Sequence, residues 1–184
     1  MNWNRRRLLL GGALAGIAGR WPLVSAAEAE VPGDRDTKHI ALDNLHTGER
    51  LEVQYAKAGA YDPAALGKLE VLLRDFRNDL RHPIDPKLMD YLVDVAQAVG
   101  REPKFSVISG YRSPQTNEKL HEKSSGVSQH SLHMQGRAID VRMAGVDCTD
   151  LAAKAITLKR GGVGYYRASN FVHLDTGAFR TWRG

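Results

Sequence analysis

The 184-residue sequence has one cysteine, Cys148, which excludes an intramolecular disulfide. It also lacks an apolar run of the roughly 20 residues that a membrane-spanning helix needs. The longest run, Leu8 to Ala18, is shorter and is interrupted by glycines. The length suits one compact domain, whose stability must come from a hydrophobic core or from a bound metal ion.

The main part of the chain also lacks an excess of positive charge. The net charge of +5 comes from 26 basic and 21 acidic residues. Four of the basic residues lie among the first 26 residues, which contain no acid, so 22 basic residues remain against 21 acidic ones. The charge of the domain therefore gives no reason to expect nucleic acid as a partner.

The N-terminal residues have the layout of an export signal. Arg5, Arg6 and Arg7 precede a weakly apolar run, and small residues around Ala26 and Ala29 offer two cleavage sites. Consecutive arginines favour the twin-arginine route, with an uncut membrane anchor as the alternative. We expect a cleaved signal over residues 1–29, a linker over 30–38 and one domain over 39–184. The mature protein is expected in the periplasm as a monomer, without a stable membrane span.

Turn and capping residues divide the domain into helices and strands. Alternating apolar residues in 39–45 and 51–55 predict a hairpin. Two helices follow, each opened by an Asp-Pro pair, and the second is expected to end at Gly100. Further helices are predicted over 114–123 and 149–160, with short strands between and after them. The pattern predicts an α+β fold with helices packed on a small, mainly antiparallel sheet.

Two predicted strands carry ionisable side chains at positions that should be buried. Asp140 lies in the middle of one, and His173 and Asp175 share a face of the other because alternate residues of a strand point the same way. His133 precedes Asp140 in a loop, where Gly136 allows the chain to turn back. A buried carboxylate is costly unless a cation or several donors compensate it.

Two imidazoles and a carboxylate are a ligand set of catalytic zinc, which keeps a fourth position open. Mg²⁺ and Ca²⁺ prefer oxygen ligands. Each residue alone has a structural explanation, since a buried histidine is more often a hydrogen-bonded core residue and Asp140 can pair with an arginine. The spacing by itself leaves both explanations open.

Four segments of the chain resemble the M15 family of zinc peptidases. They are 108–113, the run Ser131-x-His133-x-x-Gly136-x-Ala138-x-Asp140, 161–166 and 170–177. The family includes D-alanyl-D-alanine carboxypeptidases, dipeptidases and LD- or DD-endopeptidases of the bacterial wall. The resemblance implies that His133, Asp140 and His173 bind one Zn²⁺ on the sheet. It also implies a hydrolase of peptidoglycan stem-peptide cross-links, closest to the LD-endopeptidases that cut between diaminopimelate residues.

The general base departs from the family pattern. Many relatives have a glutamate three residues before the last zinc histidine, where this chain has Asn170. Asp175 is the best local replacement as a catalytic base, and its alternative role is to orient the imidazole of His173. His130 is a further candidate.

The predicted substrate-binding residues are Arg112, Gln115 and Tyr166, with Asn117 as a weaker candidate. By itself Arg112 is typical of an ordinary surface arginine. The resemblance implies a catalytic role for it as well, because its guanidinium suits a stem-peptide carboxylate or the oxyanion formed during attack. Two other functions remain open: a zinc carboxypeptidase that removes a terminal D-amino acid, and a wall-binding module that keeps zinc without catalysis. The second is favoured by Asn170.

Overall fold

The computed structural model describes residues 36–124 and 126–184. The predicted export signal, and the predicted linker as far as residue 35, lie outside the described residues. The first strand begins at Thr37, two residues before the predicted hairpin. In the described part of the chain, no helix is long and apolar enough to cross a membrane.

Each helix begins where a side chain accepts a hydrogen bond from a backbone N–H of the first turn. These capping residues are Asp62, Asp85, Ser113 and Asp147. The helices are α1 (Pro63–Leu72), α2 (Pro86–Val99), α3 (Pro114–Lys123) and α4 (Cys148–Leu158). Gly100 ends α2 in the left-handed conformation, as predicted. Helix α4 ends at the left-handed Lys159, before the two glycines expected to stop it.

Eight strands form one sheet in the order β3-β2-β1-β4-β5-β7-β6-β8. They are β1 (Thr37–Asn44), β2 (Arg50–Lys57), β3 (Ala60–Tyr61), β4 (Lys104–Ser109), β5 (Ala138–Arg142), β6 (Gly162–Tyr166), β7 (Phe171–Asp175) and β8 (Arg180–Arg183). The predicted hairpin is confirmed as the antiparallel pair β1–β2. Strands β3 and β8 were not predicted from the sequence.

The sheet is mixed, so the predicted small, mainly antiparallel sheet is wrong in size and in strand direction. Strand β1 pairs with β4 in parallel, and β6 pairs with β8 in parallel. Two parallel neighbours require a crossover connection that brings the chain back to the same end of the sheet. Helices α1 and α2 lie between β1 and β4 in the chain, and β7 lies between β6 and β8. The α+β class itself is confirmed.

The apolar core lies between the helices and one face of the sheet. Alternate residues of β5 and β7, such as Ile139 and Leu174, are fully buried in it together with Leu92 of α2 and Leu151 of α4. Because successive residues of a strand point to opposite faces, the intervening residues of β5 and β7 point away from this core. The ionisable side chains predicted from the sequence gather on that second face.

Candidate active site

Three buried side chains that can bind a metal ion converge on this face of the sheet. Antiparallel pairing of β5 with β7 sets Asp140 directly opposite His173. His133 joins them from a 3₁₀ turn, Leu132–Gln135, that precedes β5. Their potential ligand atoms all lie within 4.8 Å of one another. The structure thus brings together the residues that the sequence singled out, and their role as zinc ligands stays a prediction.

Gly136 makes the turn between His133 and β5 possible. Its φ is +64°, a left-handed conformation that favours glycine, and its backbone N–H donates to the carbonyl of His133. A Cβ at this position would overlap the carbonyl oxygen of Pro83. The predicted turn at Gly136 is confirmed, and it is also a point of close backbone packing.

Hydrogen bonds on the far side of each ring determine which imidazole nitrogen faces the site. His133 Nδ1 lies 2.7 Å from the carbonyl oxygen of Gly110, which can only accept, so Nδ1 donates and Nε2 faces inward. His173 Nε2 lies 3.0 Å from Asp175 Oδ2, so Nε2 donates and Nδ1 faces inward. Such outer partners are typical of histidines that bind metals.

The inward atoms form a cluster that fits a cation. His133 Nε2 lies 3.1 Å from His173 Nδ1, and Asp140 Oδ1 lies 2.9 Å from His173 Nδ1 and 3.3 Å from His133 Nε2. With both rings neutral, three lone pairs meet here, and their repulsion is relieved by a proton or a metal ion among them. Two imidazole nitrogens and one carboxylate oxygen fit zinc.

The pKa values in the cluster reflect burial and mutual contact. Burial lowers the pKa of His133. Burial also acts to lower the pKa of His173, but hydrogen bonds to Asp140 and Asp175 outweigh it and raise that pKa to about 8. The pKa of Asp140 is lowered, because its contacts with the two imidazoles outweigh the opposing effect of burial. Asp140 is therefore a carboxylate throughout the physiological pH range.

A cavity of about 460 Å³ opens onto the three side chains. The other residues that line it include Arg112, His130, Tyr166, Phe171, Arg180 and Trp182. Tyr166 stacks on Phe171 at 4.5 Å between ring centres, and Trp182 Nε1 donates to the Tyr166 hydroxyl at 3.0 Å. The cavity therefore combines an aromatic wall with two arginines beside the cluster.

Arg112 is buried next to the cluster with few close partners. Its terminal nitrogens lie 3.4 Å from Asn117 Oδ1, 3.4 Å from Ser109 Oγ and 3.6 Å from Asp140 Oδ2. Its buried Nε has no hydrogen-bond partner among the described residues. Unsatisfied buried donors are rare. A guanidinium in this state is suited to donate hydrogen bonds to an anionic oxygen of a ligand in the cavity.

Asp175 is fully buried and its carboxylate is saturated with hydrogen bonds. Besides His173, it accepts from the backbone N–H groups of Gly162 and Gly177 and from both terminal nitrogens of Arg180. These bonds outweigh burial and lower its pKa. Asp175 does not line the cavity. The predicted side-by-side arrangement of His173 and Asp175 is confirmed.

The remaining predicted residues occupy different surroundings. Tyr166 and His130 line the cavity, whereas Gln115 is exposed and is not among its lining residues. Asn117 is buried, and its side-chain oxygen accepts a hydrogen bond from Arg112. Asn170 is exposed outside the cavity, in a turn whose carbonyl accepts from Arg142. The substrate-binding roles of Tyr166 and Gln115 stay predictions.

Two cavity residues, Arg180 and Trp182, were missed by the sequence reasoning. Both lie on β8, a four-residue strand at the edge of the sheet. The available signal was that Arg180 and Trp182 are two residues apart, which places both side chains on one face of a strand. That face meets the site because β8 pairs with β6, whose other neighbour is β7.

Comparison with known proteins links the chain to a family. A family model described as peptidoglycan L,D-endopeptidase MepK matches residues 33–182. A relative from Haemophilus influenzae, named probable peptidoglycan L,D-endopeptidase MepK, is 40% identical over 182 residues, covering 98% of this chain and 96% of the relative. The peptidoglycan L,D-endopeptidase MepK of Escherichia coli K12 is 38% identical over 179 residues, 97% of each chain. No solved structure matches.

Proposed function

Because the chain belongs to the family of peptidoglycan L,D-endopeptidases, we propose that it is a zinc-dependent peptidase that cleaves peptide cross-links of the bacterial cell wall. The observation that carries the proposal is the convergence of His133, Asp140 and His173 at an open cavity. A structural zinc site would be closed by a fourth protein ligand, whereas a catalytic one has three and an open position.

The residues around the cluster support metal binding with fixed geometry. His133, Asp140 and His173 would hold the zinc ion, which would supply Lewis-acid chemistry for the scissile carbonyl and for an attacking water. The carbonyl of Gly110 and the carboxylate of Asp175 hold the two imidazoles in the tautomers that turn a lone pair inward. Asp140 contributes the negative charge that a divalent cation requires.

Arg112 is proposed to stabilise the negative charge that develops on the substrate oxygen during attack. Its guanidinium borders the cavity beside Asp140, and its hydrogen-bonding capacity is incompletely used. Donors that are already in position stabilise an oxyanion more than they stabilise the neutral carbonyl. Ser109 and Asn117 hold the guanidinium at this position.

For Asp175 we infer the orienting role rather than that of general base. Its carboxylate has no exposed surface and already accepts from four partners. A general base must reach the proton that it removes. His130 is the remaining candidate with support, since it lines the cavity.

The proposed substrate lies outside the cytoplasm, which agrees with the predicted export signal in residues 1–29. Peptidoglycan stem peptides are the proposed partner in the cavity. Export by the twin-arginine route, residence in the periplasm and a monomeric state remain proposals that rest on the sequence.

The direct test is digestion of purified muropeptide dimers joined by an L,D-cross-link, followed by chromatography. We expect conversion of dimers to monomers, loss of activity with a chelator and recovery with zinc. His133→Ala should lower the rate by more than about 100-fold, since loss of even an outer partner of a metal ligand costs about 10–100-fold. His39→Ala, an exposed histidine on β1, is the matched control and should retain full activity.

The same digest separates the two other functions. Release of a single D-amino acid from an uncross-linked stem peptide, with dimers intact, would identify a carboxypeptidase. Unchanged muropeptides at every zinc concentration would leave a wall-binding module, which Asn170 favours because an amide cannot serve as a general base. Either result would contradict the proposed endopeptidase.

A further inference from the structure

Among the described residues, Arg180 makes hydrogen bonds through only one side of its guanidinium. NH1 donates to Asp175 Oδ1 and to the carbonyl of Ala178, both at 3.1 Å, and NH2 donates to Asp175 Oδ2 at 2.7 Å. These bonds engage three of its five N–H groups. The remaining two, on Nε and on NH2, point the same way along one edge of the planar group. Two N–H groups on one edge of a guanidinium are spaced so that they can donate to both oxygens of one carboxylate.

The free edge belongs to a side chain that is accessible from the cavity. The Arg180 side chain is 48% exposed, whereas its partner Asp175 is fully buried. Arg180 lines the same cavity as the His133–Asp140–His173 cluster. Its guanidinium carbon lies 5.0 Å from the centre of the Trp182 ring, which in turn lies 5.1 Å from the His173 ring. A ligand group held by Arg180 would thus lie beside the cluster.

Hydrogen bonds to Asp175, with close packing around this pair, hold Arg180 in place before any ligand binds. A Cβ on Gly162 would overlap the ion pair between Asp175 and Arg180, and a Cβ on Gly177 would lie 2.9 Å from Asp175 Oδ1. Both glycines therefore leave just enough room for this pair. A side chain fixed in this way loses little conformational entropy when it binds a ligand.

Charge favours an anionic ligand in this part of the cavity. Arg112 and Arg180 balance Asp140 and Asp175 in formal charge, so a divalent cation in the cluster makes the site positive overall. The two arginines differ in their surroundings, because Arg112 is buried beside Asp140 and Arg180 is half-exposed beside Asp175. They can therefore bind different oxygens of one substrate.

We propose that Arg180 determines specificity by binding the free carboxylate next to the scissile amide, an inference that rests on the proposed function. A diaminopimelate residue has two centres, each with an amine and a carboxylate. When the amine of one centre forms the cross-link, the carboxylate of that centre stays free on the carbon bonded to the amide nitrogen. The free edge of Arg180 binds this carboxylate with two parallel hydrogen bonds.

The test compares two synthetic cross-linked peptides that differ only at this carboxylate, which is a primary amide in the second peptide. We expect wild-type protein to show a kcat/KM about 10–100-fold higher for the carboxylate, as for loss of a charged hydrogen bond. Most of the difference should lie in KM. Arg180→Lys keeps a positive charge beside Asp175 but lacks the second pair of parallel N–H groups. In this variant the preference for the carboxylate should fall below about 3-fold.

Arg183→Lys, an exposed arginine of the same strand outside this cavity, is the matched control and should keep the preference. The preference is a ratio measured on one enzyme sample, so partial loss of zinc or of folded protein does not change it. Equal cleavage of both peptides by wild type would overturn the role of Arg180 and leave the endopeptidase intact, as would an unchanged preference in Arg180→Lys. Cleavage of neither peptide would overturn both.

Discussion

In each histidine of the cluster, the nitrogen that points away from the site donates a hydrogen bond to an oxygen that can only accept. For His133 this acceptor is the carbonyl of Gly110, which mutation of a side chain cannot remove. For His173 it is the carboxylate of Asp175. Of the outer partners of these two histidines, Asp175 is therefore the one that can be tested by substitution.

Asp175→Asn is expected to weaken zinc binding by about 10–100-fold, because the amide no longer fixes the His173 tautomer with a negative charge. At saturating zinc, kcat should recover to within a few-fold of wild type. The measurements are chelator competition for the zinc affinity and the muropeptide rate at high zinc. Asp150→Asn, an exposed carboxylate in the first turn of α4, is the control. Unchanged zinc affinity with a collapsed kcat would instead identify Asp175 as the general base.

The site residues that could be predicted from the sequence were those whose role shows in the local spacing of the chain. Asp140 stood out in an apolar strand, and His173 and Asp175 shared a face because of the strand period. The hydrogen bonds that Asp175 accepts could not be predicted in this way, since their donors include Gly162 and Arg180. The sequence therefore left the base and the orienting role equally open.

Among the elements, strand β8 completes the cavity and depends on close packing against β6. The Trp182 indole lies directly over Gly164, where an added Cβ would be 2.5 Å from the ring. Gly164 is therefore required for contact between the strands rather than for a turn. The contact positions Trp182 and, two residues earlier, Arg180.

Gly164→Ala should destabilise the protein by about 1–3 kcal/mol, the usual cost of overpacking, and lower the muropeptide rate as Trp182 is displaced. Gly67→Ala is the matched control, because Gly67 lies in helix α1 with no atom within 4 Å of its added Cβ. That substitution should instead stabilise by about 0.5–1 kcal/mol. Urea denaturation measures both. Equal stability of the two variants would contradict the proposed packing role of Gly164.

The helices were predictable because their signals are local. Asp-Pro pairs begin α1 and α2, and Gly100 ends α2. The sheet was less predictable, because its parallel pairs join strands that are distant in the chain, β1 with β4 and β6 with β8. Strand β8 is also short and mostly exposed, so it has no apolar alternation to reveal it.

For the molecule as a whole, the buried cluster couples metal binding to stability and to pH. Burial opposes the charged form of His173, but hydrogen bonds to Asp140 and Asp175 raise its pKa to about 8 in the metal-free protein. This pKa exceeds the unfolded value of about 6.5. The stability that it contributes is complete below about pH 6.5 and is lost as the pH rises through about 8. The metal-free protein should therefore unfold at a lower temperature at pH 8.5 than at pH 6.5.

Zinc is expected to reverse this trend, because it requires the inward nitrogens of His133 and His173 without protons. At 100 times its dissociation constant, zinc should add about 2.7 kcal/mol. For a domain of this size that corresponds to a rise in Tm of about 5–10 °C. The rise should grow from pH 6.5 to pH 8 as the proton on His173 is lost. Differential scanning calorimetry with and without zinc measures it, and His133→Ala should abolish it. A rise that is constant with pH, or that persists in His133→Ala, would mean that zinc binds elsewhere.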